Sequence, residues 1–177
     1  MAKGHVVTSE AQTPRRPLAR GGSRWVALAI FLAVAAAAGL VGNLLQGSDV
    51  GARYLALERP AWAPPQQAFG IVWPALYVLI GVAGWRLWTN PSEGRLVGIA
   101  LGAWAAQLVL NALWPGMFFG LEAFVAAAAL IVVLDLVVVL AVVSAARVDR
   151  WAAALLVPYL VWLLYATALN IAIARLN

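Results

Sequence analysis

The chain has 177 residues, 64% of them hydrophobic and only 11% charged, with a mean hydropathy of +0.89. Soluble domains run at about 45–50% apolar and about 25% charged residues, so a water-soluble fold is excluded and lipid must be the solvent. Cys is absent and His5 is the single His, which excludes disulfide scaffolds, thiolate-bound metals and a His-based centre in the core.

Met1 to Arg24 is polar and basic, with Lys3, Arg15, Arg16, Arg20 and Arg24 against one acid, Glu10. It reads as a disordered basic tail on a transmembrane domain running from residue 25 to residue 177. The first apolar run, Trp25 to Leu45, is long enough to span a bilayer at about 1.5 Å per residue and is too long for a cleaved signal sequence. Gln46 to Gln67 is the one long connection. Four further spans follow, about Phe69 to Trp88, Leu96 to Trp114, Leu121 to Ala146 and Trp151 to Ala174. A turn at Thr89 to Gly94, the Pro115-Gly116 pair and Arg147 to Arg150 separate them. None of the runs alternates as barrel strands do. The expected fold is an all-α integral membrane bundle of five transmembrane helices.

The net charge of +5 resides on Lys and Arg that flank apolar runs, so the partner it implies is the bilayer and not nucleic acid. The tail, Arg86, Arg95, Arg147 and Arg150 lie on one side, and Arg53, Arg59 and Arg175 on the other. The positive-inside rule then places the N-terminus in the cytoplasm, with the long first connection on the far face, and the expected location is a bacterial cell membrane.

Nine Trp in one short chain exceed what interfacial belts require, although Trp25, Trp88 and Trp151 fit such belts. Helical periodicity puts Trp73, Tyr77, Ile80, Gly84 and Trp88 on one face, and Tyr159, Trp162, Tyr165, Ala166, Leu169 and Asn170 on another. On the third span Trp104, Gln107, Asn111 and Trp114 form one stripe, and Gly94, Gly98, Gly102 and Ala105 form a second on the opposite side. The aromatic faces either pack a core or wall a cavity for a flat ligand, and the amides either join helices or orient that ligand. The glycine stripe allows close approach of a second backbone, from an internal neighbour or from a second subunit. Asp135 is the one acid deep in a span, to be protonated or bonded to a neighbouring helix unless it serves function directly. Hydrolytic dyads, nucleophile triads and phosphate-binding loops all lack their partners.

Four ordered motifs carry a resemblance. Leu57-x-Arg59-Pro60-x-Trp62-x-Pro64-Pro65, Trp73-x-x-Leu76-Tyr77, Asn111-x-x-Trp114-Pro115-x-x-Phe118-Phe119-Gly120 and Pro158-Tyr159-x-x-Trp162-x-x-x-Ala166-Thr167-x-Leu169-Asn170 resemble the translocator protein family, the tryptophan-rich sensory proteins or peripheral-type benzodiazepine receptors. The resemblance implies a five-helix bundle, commonly dimeric, that binds protoporphyrin, haem and related tetrapyrroles. It implies a cavity beneath the first loop, with Trp62, Pro64 and Pro65 as its lid and with Trp73, Tyr77, Asn111, Trp114, Trp162, Ala166 and Leu169 touching the ligand. Gln107 joins them from the stripe on the third span. The glycine stripe becomes the homodimer interface. Some bacterial relatives degrade porphyrin in light, through two tryptophans that fall on Trp73 and Trp162. The chain departs from the family at Ala126, and at Ile171 and Ala172, where aromatic residues are usual.

The expected function is therefore binding of a tetrapyrrole or another flat apolar ligand, as sensor or carrier, with porphyrin as ligand and no required cofactor or metal. The alternatives are a porphyrin-degrading enzyme driven by light and oxygen, and a purely structural membrane partner.

Overall fold

The structure is a computed structural model that describes residues 21–92 and 94–177; nearly all of the basic tail lies outside the described residues. It is helical throughout, with α1 at Gly21–Leu45, α2 at Val50–Ala56, α3 at Gln66–Thr89, α4 at Arg95–Pro115, α5 at Phe124–Val148 and α6 at Arg150–Leu176. Five of these helices, all but α2, are long and apolar enough to cross a membrane. The chain is an integral, multi-pass membrane protein.

The spanning helices form a ring in the order α1, α3, α6, α5, α4, which closes where α4 meets α1. Lipid tails are as apolar as the side chains, so helices associate through close packing and not through escape from water. Small residues make that packing possible. Ala100, Ala103 and Ala112 of α4, Ala127, Ala141 and Ala145 of α5, and Ala152 and Ala153 of α6 are all buried. Larger groups, among them Ile80, Leu87, Ile131, Leu134, Val138, Leu156 and Leu163, fill the space between. At Gly84 a Cβ would stand 2.5 Å from the Trp104 ring and 2.7 Å from Phe31. Only glycine lets α1, α3 and α4 meet there.

Three boundaries differ from the sequence expectation. Helix α1 is already formed at Gly21, the first described residue, four positions before Trp25; Trp85 stacks on Trp25 and its indole N–H donates to the Arg24 carbonyl at 3.0 Å, which fastens this end of α1 to α3. The long connection contains α2, whose seven residues are too few to show a helical period. Pro115-Gly116 does not end the third span. Pro115 has no amide hydrogen for an α-helical bond, and the chain continues as one wider, π-helical turn over Gly116–Gly120. Its closing bond runs from the Leu121 N–H to the Gly116 carbonyl at 2.9 Å.

Between α5 and α6 there is one residue, Asp149. Its carboxylate accepts from the backbone N–H groups of Trp151 and Ala152 at 2.8 and 3.3 Å, capping α6. It also receives the Arg86 guanidinium through two bonds of 2.9 and 3.2 Å. Asn90 donates to the Val148 carbonyl at 3.2 Å, so the end of α3 is fastened to this turn twice.

Candidate functional site

A cavity of about 950 Å³ opens inside the ring at the α2 end of the bundle. Its walls come from Leu32, Ala36, Gly39 and Asn43 of α1, from Phe69 to Val78 on α3, and from Asn111 and Trp114 of α4. Ile131 and Leu134 of α5 and Leu163 and Ala166 of α6 form its floor. Val50, Gly51 and Tyr54 of α2 roof it.

Aromatic rings dominate the walls. Trp73 stacks on Tyr77 with centroids 5.7 Å apart and an interplanar angle of 30°. Trp114 stacks on Phe118 at 5.0 Å and meets Phe119 edge-on at 6.2 Å. Polar groups are few and fixed. The Tyr77 hydroxyl donates to Asn111 Oδ1 at 2.6 Å, and Asn111 Nδ2 donates to the hydroxyl of fully buried Tyr159 at 3.0 Å. Two tyrosines from different helices thus set the Asn111 amide at the cavity wall. The Trp114 indole N–H donates to Asn170 Oδ1 at 3.0 Å, and Asn170 Nδ2 donates to the Phe124 carbonyl at 2.9 Å, which locks that ring's plane.

The sequence-derived site residues divide into two groups. Trp73, Tyr77, Asn111, Trp114 and Ala166 line the cavity together. Trp62, Gln107, Trp162 and Leu169 do not. Trp62 is half-exposed outside, its ring against Tyr165 at 5.7 Å and its carbonyl accepting from the Tyr165 hydroxyl at 2.9 Å. Trp162 stands one layer behind the wall, against Phe69 at 5.9 Å and Tyr165 at 5.6 Å. Its buried indole N–H has no hydrogen-bond partner among the described residues. Leu169 belongs to a neighbouring cluster with Phe118, Phe119 and Tyr54. Gln107 is buried, and neither polar atom of its amide has a partner among the described residues. Trp104, on the same stripe, packs toward the opposite end of the bundle, donating to the Ile80 carbonyl at 2.8 Å.

The roof is strapped down. Arg53 donates to the Phe119 carbonyl at 2.6 Å, and the Tyr54 hydroxyl donates to the Pro64 carbonyl at 2.8 Å. Asn177 exchanges two bonds with the Glu58 backbone, at 3.1 and 3.0 Å. The Arg59 guanidinium lies 4.6 Å from the centre of the Tyr54 ring.

Sequence reasoning missed the α1 wall, the α2 roof and Pro74. Pro74 inside a helical run was a visible signal; α1 is apolar along its span except for Asn43 near its end, which was its one signal. Asp135 is also resolved here. Its Oδ2 accepts from the Thr167 hydroxyl of α6 at 2.8 Å, while Oδ1 has no partner among the described residues. Gly94, Gly98, Gly102 and Ala105 all face outward, exposed, and a Cβ on any of the three glycines would meet nothing within 4 Å.

Residues 29–176 match the model of the TspO/MBR family. The tryptophan-rich sensory protein of Cereibacter sphaeroides is 36% identical over 153 residues, covering 86% of this chain and 92% of its own. The tryptophan-rich protein TspO of Archaeoglobus fulgidus is 38% identical, with 85% and 95% covered. The human translocator protein is 33% identical, with 70% and 74% covered.

Proposed function

Since the chain belongs to the TspO/MBR family, we propose that it is a membrane-embedded sensor or carrier whose cavity binds a porphyrin or a related flat tetrapyrrole. One observation carries this reading: a cavity of about 950 Å³ within the helix ring, walled by Phe69, Trp73, Tyr77, Trp114 and Phe119. Ligand cavities of about 300–1,000 Å³ bury most of a small ligand, and offset stacking on aromatic rings adds about 0.5–1.5 kcal/mol per pair beyond area burial. Asn111, held by two tyrosines, supplies one directional polar contact.

Free-base porphyrin fits the donor set better than haem. Among the described residues, no His, Cys or Met side chain lines the cavity, and both tyrosine hydroxyls that reach it are engaged, Tyr77 with Asn111 and Tyr54 with Pro64. The outward glycine stripe supports a homodimer through α4, because two such backbones approach closely. The charge asymmetry supports a cytoplasmic N-terminus in a cell membrane.

Titration of the protein in nanodiscs with protoporphyrin, followed by tryptophan fluorescence, tests the reading. Saturable, stoichiometric quenching that weakens in Trp73→Ala is the expected result. Quenching that rises linearly with ligand and ignores Trp73→Ala would refute it.

A further inference from the structure

Several cavity-lining residues are also exposed: Ala36 and Asn43 on α1, and Gln66, Gln67, Gly70, Pro74 and Val78 on α3. A residue that faces both an interior space and the surroundings stands at its opening. The opening therefore runs along the seam between α1 and α3, from Gln66 and Gln67 at the α2 end down the flank of the bundle to Val78.

Helix packing explains why the seam parts where it does. Further along, α1 and α3 lock together at Gly81, where a Cβ would lie 3.0 Å from the Leu32 Cα. At the cavity, α3 carries Pro74, which cannot donate to the Gly70 carbonyl and so removes one backbone bond from the helix. Gly70 adds no side chain to fill the gap, and a Cβ there would meet nothing within 4 Å. Among the described residues no charged side chain lines the seam, and Gln66 and Gln67 at the start of α3 are polar members of it. On the α1 side its polar edge is Asn43, whose side-chain oxygen accepts from Gln46 at the end of α1, the depth at which a spanning helix meets the head groups. The end-on route, in contrast, lies under α2 and the loop fastened by Arg53, Tyr54, Tyr165 and Asn177.

We propose that the seam between α1 and α3 is a lateral portal, through which an amphiphile dissolved in the bilayer enters the cavity. Its apolar body passes Gly70 and Pro74, and its polar edge comes to rest at Asn43 and Gln46. This rests on the reading of the cavity as a ligand site.

The test is stopped-flow tryptophan quenching by protoporphyrin, with the protein in vesicles of phosphatidylcholine and phosphatidylglycerol. In the parent, the association rate follows the mole fraction of porphyrin in the lipid when lipid is varied at fixed total ligand. A Cβ at Gly70 meets nothing within 4 Å, so Gly70→Leu adds bulk at the seam, and association and dissociation both slow by about tenfold or more. Pro74→Ala restores the missing backbone bond and slows both rates in the same sense. A Gly70→Leu protein that binds at the parent rate overturns the portal, as does faster binding in Tyr165→Phe, which loosens the loop, without any effect of Gly70→Leu. Absence of saturable quenching in the parent overturns the ligand reading itself and the portal with it.

Discussion

Asn111 is the joint between three helices, and replacing it tests whether that joint is structural. In Asn111→Leu the number and branching of side-chain heavy atoms are kept, so the wall of the cavity stays filled. The Tyr77 and Tyr159 hydroxyls, however, each lose the one side-chain partner they have, at 2.6 and 3.0 Å. Tyr159 is fully buried, and leaving a buried hydroxyl unpaired costs about 1–3 kcal/mol. Interhelical hydrogen bonds inside membranes average nearer 0.6 kcal/mol, because the dissociated helices find other partners. The two effects together place the loss at about 1.5–4 kcal/mol. Tyr77→Phe removes one bond and leaves Asn111 still held by Tyr159, so its loss is about 0.5–1.5 kcal/mol. Reversible unfolding in mixed dodecylmaltoside and SDS micelles, followed by near-ultraviolet circular dichroism, measures both. The order is the point of the experiment. If Asn111→Leu costs no more than Tyr77→Phe, the amide is not the centre of the network.

Trp73→Ala should weaken protoporphyrin binding by about five- to 150-fold, equivalent to about 1–3 kcal/mol, while Trp151→Ala, exposed on the outside, leaves it near the parent value; equal losses in fluorescence titrations would remove Trp73 from the site. If the protein degrades porphyrin in light, Trp73→Phe should stop the absorbance change while binding persists, because phenyl is far harder to oxidise than indole; an unchanged rate of bleaching would exclude Trp73 as the electron donor. Gly98→Leu with Gly102→Leu should convert a detergent-solubilised dimer to monomer without unfolding it, since nothing within the chain occupies that space; an unchanged mass in light scattering would move the interface elsewhere. Thr167→Val leaves both Asp135 oxygens without a partner among the described residues and should lower stability by about 1–3 kcal/mol in the same SDS assay; no change there would mean that the bond contributes nothing.

Hydropathy alone was enough for the five spans, because a spanning helix must satisfy its backbone internally and so announces itself by length and composition. Periodicity took the reasoning partway to the site. It put Asn111 and Trp114 on one face of α4 and Trp73 and Tyr77 on one face of α3, and the four line one cavity, but it also put Trp104 with Asn111 and Trp114. Trp104 and Trp114 share a face of α4 yet lie about 15 Å apart along its axis, so one face serves two different compartments. Trp162 illustrates the opposite limit. Its face points inward, but Phe69 stands between it and the cavity, and no single-helix pattern reveals an intervening ring. The wall supplied by α1 was nearly illegible for a simpler reason. Asn43 near its end apart, the span is apolar on every side and carries no mark of which side meets protein and which meets lipid.

The single-residue link at Asp149 constrains how the protein is made. With no loop between them, α5 and α6 cannot be threaded into the bilayer as separate events, since the second must reverse direction the moment the first ends. They enter as one hairpin, the strongly apolar α5, with a mean hydropathy of 3.0 in its span, carrying in the less apolar α6 at 1.9. Asp149 supplies the acceptor for the first N–H groups of α6 as soon as the turn forms. Biogenesis therefore has an order written into it. Arg86, synthesised earlier on α3, has its carboxylate partner only once the chain has reached Asp149, and an insertion of even one residue at this turn would separate the cap from the ion pair that share one carboxylate.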